Sequence, residues 1–389
     1  MNMFDHRACA VDIADVAPML AGARVLVTGG TGFLGGRLVE RLVLECGAKP
    51  RVLLRNQSRV GSLARIGLDR IVLVNGELGD AESLSNAVAG CSVVFHCAMN
   101  RGDRQSNING IDSLVAACIK YSARLVHVST LAVYEPLRDG DLDETMPLAR
   151  SGTRYSEMKL EVEERVMAAM RTQSLDACIV VPAMVYGPYG NAWTLAPAKQ
   201  LASGTVVLPE RGEGLCNAVY VDDVCQAMIR AAVVPGARGR RYLISGPAPP
   251  TWGAFFKGIA DAIGRPGPRL ASTDEMPRSS SFRAVKLLLR DPKRLIRVGP
   301  IGKLAGWTKT KIRPMARARL ELLYNLYQDR FPPPTHMPNA QQLALYRSRC
   351  RVRIDRAAAE LGYRPAYDFG RGMQVTAEWL RRALRPQEK

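Results

Sequence analysis

The stretch RVLVTGGTGFLGGRLVERL, residues 24–42, decides the fold class of this chain. It begins as a buried strand and ends as an amphipathic helix, with five glycines between the two. Glycine weakens strands and helices alike, so five glycines this close together indicate a turn in which a ligand or another part of the chain lies directly against the backbone. Gly29, Gly32 and Gly35 are spaced GxxGxxG, which permits a tight turn, a pyrophosphate against the backbone and close helix packing. Since a helix N-terminus offers free N–H groups to phosphates, the stretch predicts a dinucleotide site.

Short apolar segments alternate with helical patterns along the first half of the chain. Strands are predicted at 24–28, 51–55, 71–74, 92–98, 124–129 and 177–182. Helices are predicted at 35–46, 80–90, 106–121 and 155–172. This alternation indicates an α/β fold, namely a Rossmann-type, doubly wound parallel sheet with a smaller, mostly helical C-terminal substrate lobe.

The composition narrows the class of protein. With 389 residues, of which 47% are hydrophobic, the chain is long enough to bury a large core. Nine cysteines are scattered without a CxxC pair or a Cys/His cluster, which argues for a reducing compartment and against disulfides or a metal site. No apolar run is long enough to cross a bilayer, and the N-terminus lacks the pattern of a secretory signal. The expected location is the cytoplasm.

The chain is predicted to consist of a tail, a dinucleotide-binding domain and a lobe. The limits are 1–21 for the tail, 22–188 for the domain, to which the chain returns at 218–246, and 189–217 with 247–389 for the lobe. The lobe contains a basic insertion at 278–330, with fourteen Lys and Arg against three Asp and Glu. We favour a lid over the substrate. Peripheral contact with the anionic inner face of a membrane and an anion-binding rim stay open, whereas nucleic acid is not expected.

Two further stretches suggest acid–base chemistry: HVSTLAVYE at 127–135, and YSEMK, which begins at Tyr155. Tyr155 and Lys159 are four residues apart on a predicted helix and therefore share one face. An ammonium beside a phenol lowers the phenol pKa from its usual value of about 10, so that the tyrosine can exchange a proton with a carbonyl or a hydroxyl. Ser129 or Thr130, at the end of a predicted strand, is placed to bind the substrate oxygen.

Together these features resemble the extended short-chain dehydrogenases/reductases, the NAD(P)-dependent epimerase/dehydratase family. The resemblance extends over residues 22–246, with a weaker similarity at 352–380. It rests on motifs that occur in this order: TGGTGFLG (28–35), FHCA (95–98), NINGIDSLVAAC (107–118), VSTLAVY (128–134), YSEMK (155–159), VVPAMVYGP (180–188) and VYVDDV (219–224).

The resemblance implies roles for individual residues. Tyr155 would be the acid/base, Lys159 its partner and a ribose contact, and Thr130 the equivalent of the family's catalytic Ser/Thr. The residues implied at the pyrophosphate, the adenosine half and the nicotinamide are, in that order, Gly29, Thr31, Gly32, Phe33 and Leu34; Cys97 and Ala98; and Pro182 and Val185. Asp222 and Asp223 would order a loop and start a helix rather than take part in the chemistry.

Two positions bear on the choice of cofactor. Arg55 ends the second strand, where a dinucleotide fold commonly places an acid for the ribose hydroxyls, and an arginine there suits a 2′-phosphate. Glu77 stands where the family has an aspartate that contacts the adenine. NADP is therefore favoured over NAD, and a solvated surface arginine is the alternative interpretation of Arg55.

Departures from the family pattern restrict the reactions that are expected of this chain. Leu131 and Ala132 replace the Asp-Glu of members that dehydrate nucleotide sugars, so 4,6-dehydration is not expected. Cys216 and Asn217 replace an Arg-Asp pair common in members that bind nucleotide sugars. The first expectation is an oxidoreductase or epimerase acting on a secondary alcohol or ketone of a sugar nucleotide. The alternatives are a 3β-hydroxysteroid-dehydrogenase-like enzyme for a hydrophobic or lipid-linked alcohol and a non-catalytic dinucleotide-binding regulator. A homodimer is left open.

Overall fold

The computed structural model describes residues 12–55, 63–272, 275 and 334–385. The basic insertion at 278–330 lies outside the described residues, and so do the interpretations that depend on it. The domain limits stay a prediction.

The described residues form fourteen strands and ten α-helices. The strands are β1 (Val25–Thr28), β2 (Arg51–Leu54), β3 (Val72–Asn75), β4 (Val93–His96), β5 (Arg124–Val128), β6 (Gly140–Leu142), β7 (Ala177–Pro182), β8 (Met184–Tyr186), β9 (Thr205–Leu208), β10 (Ala218–Tyr220), β11 (Arg241–Ile244), β12 (Arg269–Leu270), β13 (Thr335–His336) and β14 (Cys350–Val352). The α-helices are α1 (Phe33–Leu44), α2 (Ala81–Val88), α3 (Arg104–Tyr121), α4 (Arg154–Thr172), α5 (Ala196–Ser203), α6 (Val221–Val233), α7 (Trp252–Ala262), α8 (Ala340–Arg347), α9 (Asp355–Glu360) and α10 (Phe369–Ala383).

A parallel sheet forms the centre of the molecule. Within the described residues it has seven strands in the order β11-β7-β5-β4-β1-β2-β3. The strand order reverses between β1 and β4, and in open α/β sheets a ligand binds beside the carboxyl ends of the strands at such a reversal. The predicted Rossmann-type, doubly wound sheet is confirmed. The predicted strands and helices of this part lie within a few residues of the observed ones, because long apolar β runs and amphipathic helices are strong local signals.

The smaller lobe packs on the carboxyl side of this sheet. It contains the short parallel sheet β12-β9-β13 and the helices α5, α7 and α10. Its core is aromatic, since Tyr186 contacts Phe255 and Phe369 edge to face or tilted, and Trp252 packs on Tyr346 of α8. A separate pairing of β14 with β6 returns the chain from the lobe to the dinucleotide-binding side.

The part of the predicted N-terminal tail that the structure describes packs against the sheet domain. Ile13 and Leu20 are buried in the core, and a 3₁₀ turn spans Ala17–Leu20. The Arg230 guanidinium of α6 donates to the Asp15 carboxylate at 2.8 Å. These residues therefore form an integral edge of the domain rather than a free extension.

Asp222 and Asp223 lie in the first turn of α6, as expected, and both are buried residues that connect α6 to other parts of the chain. α6 begins at Val221, and the residue in the N-cap position is Tyr220. Asp222 accepts hydrogen bonds from Arg37 at 2.5 and 2.8 Å and from Arg41, both on α1. Burial raises the pKa of Asp222, but these two guanidinium groups outweigh burial and hold it below its usual value.

Asp223 connects α6 to the C-terminal part of the chain. Its carboxylate accepts the backbone N–H groups of Ala366 at 2.8 Å and Tyr367 at 3.2 Å. Burial raises the pKa of Asp223 to about 7. The two neighbouring acids therefore join one helix to the glycine-turn helix on one side and to the lobe on the other.

We expect Asp222→Asn to lower the free energy of unfolding by about 3–5 kcal/mol, because two buried guanidinium groups lose the carboxylate that they share. Urea denaturation measures the loss. Because the folded-state pKa of Asp222 is lowered, its stabilisation is complete above its unfolded-state pKa, about 3.9, and is lost as the pH falls through the folded-state pKa. The difference from wild type should therefore shrink on acidification.

The matched control is Glu378→Gln on α10. Glu378 forms an exposed ion pair with Arg382, so its loss should cost about 0–1 kcal/mol. Equal effects of the two substitutions would contradict the assignment of Asp222 as a buried tether.

Candidate active site

The glycine turn is shaped by close contacts between backbones. Gly29 has a positive φ of 71°, and a Cβ at this position would stand 2.7 Å from the Ala98 backbone nitrogen. A Cβ on Gly35 would stand 2.4 Å from the Gly29 carbonyl oxygen. The first and third glycines therefore serve the tight turn and the close helix packing that their spacing predicts.

Gly32 is different, because its surroundings are open. A Cβ there would meet only the Gly29 carbonyl oxygen, at 3.1 Å, and the residue is exposed. Gly32 is also the N-cap of α1, and among the described residues no side chain caps this helix end and no acid lies in its first turn. The first N–H groups of α1 and the positive end of its dipole are therefore not used by a capping side chain of the described residues. Thr31, Phe33 and Leu34 line the same turn, and this arrangement fits a pyrophosphate.

The residues predicted to contact the rest of a dinucleotide lie along the same edge of the sheet. Arg55 follows β2 and is exposed, and Glu77 follows β3 and is exposed, with its N–H donating to Ser83 Oγ at 3.3 Å. Cys97 and Ala98 follow β4. The Ala98 N–H donates to Thr28 Oγ1 at 3.2 Å, which ties the ends of β1 and β4 together. On the nicotinamide side, the predicted contacts are Pro182, the last residue of β7, and the half-buried Val185 of β8.

The predicted catalytic residues converge at the carboxyl end of β5. Thr130 lies two residues after β5 and caps the 3₁₀ turn Leu131–Tyr134, with its hydroxyl accepting the Ala132 N–H at 3.3 Å. Tyr155 lies in the first turn of α4 with 42% of its surface exposed, and the Thr130 side chain is near enough to act on the pKa of its phenol. The structure therefore brings the two hydroxyl groups together in a position that solvent can reach.

Lys159 lies one turn further along α4 and is buried. Its Nζ donates to the Val128 carbonyl oxygen at 2.6 Å. Burial lowers the pKa of Lys159 to about 8, and the negative charge of Glu163 opposes this effect. At neutral pH the side chain is thus a buried ammonium, which is held by the backbone of the strand that ends at the site.

The direction of the Tyr155 shift differs from the sequence-based expectation. Although Tyr155 is partly exposed, the partial desolvation of its phenol raises its pKa above the usual value, and the Thr130 side chain and the charge of Arg101 oppose this effect. Lys159 was expected to lower the phenol pKa, but its ammonium is hydrogen-bonded to Val128 instead. The groups that favour the phenolate here are therefore Thr130 and Arg101.

Two charged residues beside Tyr155 were not found by the sequence analysis. Arg101 is exposed in the turn between β4 and α3, a turn that Asn107 holds through two hydrogen bonds with the Asn100 backbone, at 2.8 and 2.7 Å. Glu135 is half-buried and accepts a hydrogen bond at 2.9 Å from Gln341 of α8, which belongs to the lobe. Burial raises the pKa of Glu135, and its charge raises that of Tyr155. A single loop arginine carries no periodic signal, so only the tertiary structure reveals its place.

Two buried histidines lie behind the site. His96 and His127, on neighbouring strands, stack with ring centroids 5.4 Å apart, and Thr28 Oγ1 lies 2.8 Å from His96 Nδ1. In the described part of the chain, neither ring nitrogen of His127 has a hydrogen-bond partner. Burial and the charge of Lys159 lower the pKa of both, that of His96 to about 3, so both are neutral and Lys159 is the cation of this cluster.

The glycine turn, Thr130, Tyr155 and Lys159 all lie within one stretch of sequence that the model of a known protein family matches. The model of the NAD dependent epimerase/dehydratase family matches residues 25–245. The chain belongs to this family. It is accordingly an enzyme of an oxidoreductase family that uses NAD(P).

Relatives in the family act on different substrates. The chain is 31% identical over 259 residues to a 2-alkyl-3-oxoalkanoate reductase of Stenotrophomonas maltophilia. The aligned region covers 62% of this chain and 76% of the relative. It is 31% identical over 284 residues to sterol demethylase protein B of Methylococcus capsulatus, covering 69% and 81%. It is 30% identical over 239 residues to a dTDP-glucose 4,6-dehydratase of Mycolicibacterium smegmatis, covering 57% and 72%.

Solved structures of family members share the fold. A dTDP-glucose 4,6-dehydratase of Bacillus anthracis in complex with NAD superposes with a TM-score of 0.66 at 20% identity, covering 93% of this chain and 97% of that one. Across the described ranges, no helix has the length and apolar character needed to cross a bilayer.

We expect Tyr155→Phe to reduce turnover by about 100-fold or more, because the ring remains but the proton donor is lost. Steady-state kinetics measure turnover, and fluorescence titration with NADPH and NADH checks that the cofactor still binds. Tyr121→Phe, at the C-terminal end of α3, makes the same chemical change outside the predicted site; it is the matched control and should leave turnover unchanged. Full activity of Tyr155→Phe would refute the catalytic assignment.

Proposed function

We propose that this enzyme transfers a hydride between NADP(H) and a secondary alcohol or ketone on a hydrophobic substrate that carries a carboxylate close to the reacting carbon. The observation that carries this proposal is that the Asn217 side chain forms structural hydrogen bonds within the protein. Its side chain donates to the Cys350 carbonyl at 2.9 Å and accepts the Val352 N–H at 2.9 Å, and Cys216 beside it is fully buried. Many family members use this position to bind a nucleoside diphosphate. Here its side chains are engaged in structural contacts instead.

The surroundings of the catalytic hydroxyls support simple redox chemistry. Leu131 is buried in the core and Ala132 has no acidic group, so neither can remove water from a sugar. Dehydration of a nucleotide sugar needs an acid and a base there in addition to the tyrosine. The catalytic group that remains beside the substrate oxygen is the Thr130–Tyr155 pair.

Arg101 supports the carboxylate in the proposal. It is exposed, and its charge acts on the Tyr155 phenol. Among the described residues no carboxylate forms an ion pair with it, so its guanidinium is available to bind a substrate carboxylate in bidentate fashion. A 3-hydroxy or 3-oxo acid places its carboxylate two carbons from the reacting carbon. The 2-alkyl-3-oxoalkanoate reductase among the relatives acts on a substrate of this class.

The mechanism then follows from the residues of this chain. A bound nicotinamide would supply the hydride for reduction. Tyr155 would give its proton to the carbonyl oxygen, and Thr130 would hold that oxygen by a hydrogen bond. The phenolate that remains is favoured by Thr130 and by the charge of Arg101. Lys159, held at the Val128 carbonyl, would bind the ribose of the cofactor.

A sugar nucleotide is the second candidate substrate, supported by the similarity to the dTDP-glucose 4,6-dehydratase. An epimerase would recycle its cofactor internally, and tightly bound nucleotide in the purified protein would favour this alternative. The convergence of Thr130 and Tyr155 argues against a non-catalytic regulator.

The substrate proposal is tested in the direction of oxidation, with a long-chain 3-hydroxy acid, its methyl ester and dTDP-glucose as probes. We expect the acid to be oxidised best. Arg101→Gln should raise the KM for the acid by about tenfold or more, the scale of a charged hydrogen bond, and should leave the KM for the ester unchanged. Arg138→Gln, an exposed arginine beyond Glu135, is the control. Equal effects of Arg101→Gln on acid and ester would contradict carboxylate binding.

The cofactor proposal is tested with Arg55→Ala. If Arg55 binds the 2′-phosphate, the affinity for NADPH should fall by about 1.5–3 kcal/mol, and the affinity for NADH should barely change. Fluorescence titration measures both. An equal loss of affinity for both cofactors would show that Arg55 does not distinguish them.

A further inference from the structure

A buried acid lies on the same face of α4 as the catalytic pair. Tyr155, Lys159 and Glu163 follow one another at intervals of four residues, so their side chains line one face of the helix. Glu163 is fully buried. A buried carboxylate is costly unless it is paired and hydrogen-bonded, and the proposed chemistry at Tyr155 has no direct use for it.

Glu163 is the centre of a hydrogen-bond network that joins three elements. Ser129 Oγ donates to Glu163 Oε2, and Arg241 Nε of β11 donates to Glu163 Oε1 at 2.6 Å. The same guanidinium donates through Nη1 to the Tyr134 hydroxyl at 2.9 Å. Both carboxylate oxygens are thus occupied, and α4 is linked to β11 and to both ends of the segment 129–134.

Three consecutive residues at the end of β5 each hold a different part of the site. The Val128 carbonyl accepts a hydrogen bond from the Lys159 ammonium, the Ser129 hydroxyl donates to Glu163, and the Thr130 side chain acts on the pKa of the Tyr155 phenol. Because these residues are consecutive in one backbone segment, anchoring the middle one restricts the two on either side. The Glu163–Ser129 bond therefore lies where it sets the spacing between strand and helix.

We propose that Glu163 is a positioning residue, which holds the segment 128–134 against α4 so that Thr130, Tyr155 and Lys159 keep one arrangement for catalysis. Its charge has a second effect, because it favours the ammonium form of Lys159 against burial. The other groups that act electrostatically with Lys159 are Cys97, whose thiol has its pKa raised by burial to about 12, and the neutral His96 and His127. This inference rests on the proposed acid–base function of the site.

The first test compares Glu163→Gln with Glu164→Gln. Glu164 is the next residue of α4, is exposed and pairs with Arg150, so the same chemical change is made outside the network. We expect Glu163→Gln to lower kcat by about 10-fold or more with little change in KM, and Glu164→Gln to have no effect. Glu163→Asp, which keeps the charge, should recover part of the loss. Equal kcat values for Glu163→Gln and Glu164→Gln would overturn the positioning role.

The second test needs no substrate, and so it separates this inference from the proposed function. A ¹³C NMR titration of Lys159, assigned with Lys159→Met, should have its midpoint at about pH 8 in the wild type. In Glu163→Gln the midpoint should fall below the wild-type value, because the carboxylate charge that favours the ammonium is gone. In Glu164→Gln it should not move. An unchanged midpoint in Glu163→Gln would show that the carboxylate does not act on Lys159.

Folding of the variants is checked by circular dichroism. Should Glu163→Gln unfold because Arg241 keeps an unbalanced buried charge, the double variant with Arg241→Gln removes both charges and is measured in its place. The double variant should show the same fall in kcat and a smaller fall in the lysine midpoint, because the positive charge of Arg241 is removed together with the negative charge of Glu163. Ser129→Ala removes one bond and keeps the charge, so it should lower kcat and leave the midpoint at its wild-type value. A shifted midpoint in Ser129→Ala would contradict the division between positioning and charge.

Discussion

The close approach of the Gly29 backbone to the Ala98 backbone is the constraint on which the rest of the structure depends. It occurs where the strand order reverses, between β1 and β4, and leaves no room for a side chain on Gly29. The tight turn lets α1 begin with an uncapped end over the carboxyl edge of the sheet. The same helix carries Arg37, whose bond to Asp222 fixes α6 against it. The cofactor site and the packing of the helices therefore have one origin.

Buried acids organise the molecule around this turn. Asp222 holds the helix of the glycine turn, Asp223 holds the C-terminal part of the chain, and Glu163 holds the catalytic segment. Each is paired with arginine or with backbone N–H groups, as buried charges must be. Such hydrogen bonds and ion pairs form only at short distances and in a narrow range of orientations. They therefore fix the positions of the three regions relative to the rest of the chain. This explains how a site assembled from several strands and helices can keep Thr130, Tyr155 and Lys159 close to one another.

The differences from the family pattern all affect residues that other members use for nucleotide sugars. Asn217 and Leu131 stand where other members carry groups for a nucleotide sugar, and here both serve internal packing or hydrogen bonding. In the proposed function, a buried leucine thus replaces an acid that would take part in dehydration, and Asn217 is used for structural hydrogen bonds, while Thr130 and Tyr155 are kept. Arg101 adds a positive charge beside Tyr155. The proposed change of substrate follows from this exchange, since the sheet and the glycine turn are those of the family.

The sequence by itself determined the central sheet, the glycine turn and the pairing of Tyr155 with Lys159 on one helix face, because apolar periodicity, glycine spacing and helical repeat are local properties. It did not reveal that Lys159 bonds the Val128 carbonyl, that Asp222 pairs with arginines of α1, or that Glu163 meets Arg241. It also predicted the wrong direction for the pKa of Tyr155, which burial raises. These features were decided by the tertiary structure alone, because burial and contacts between distant residues arise from the packing of the whole chain.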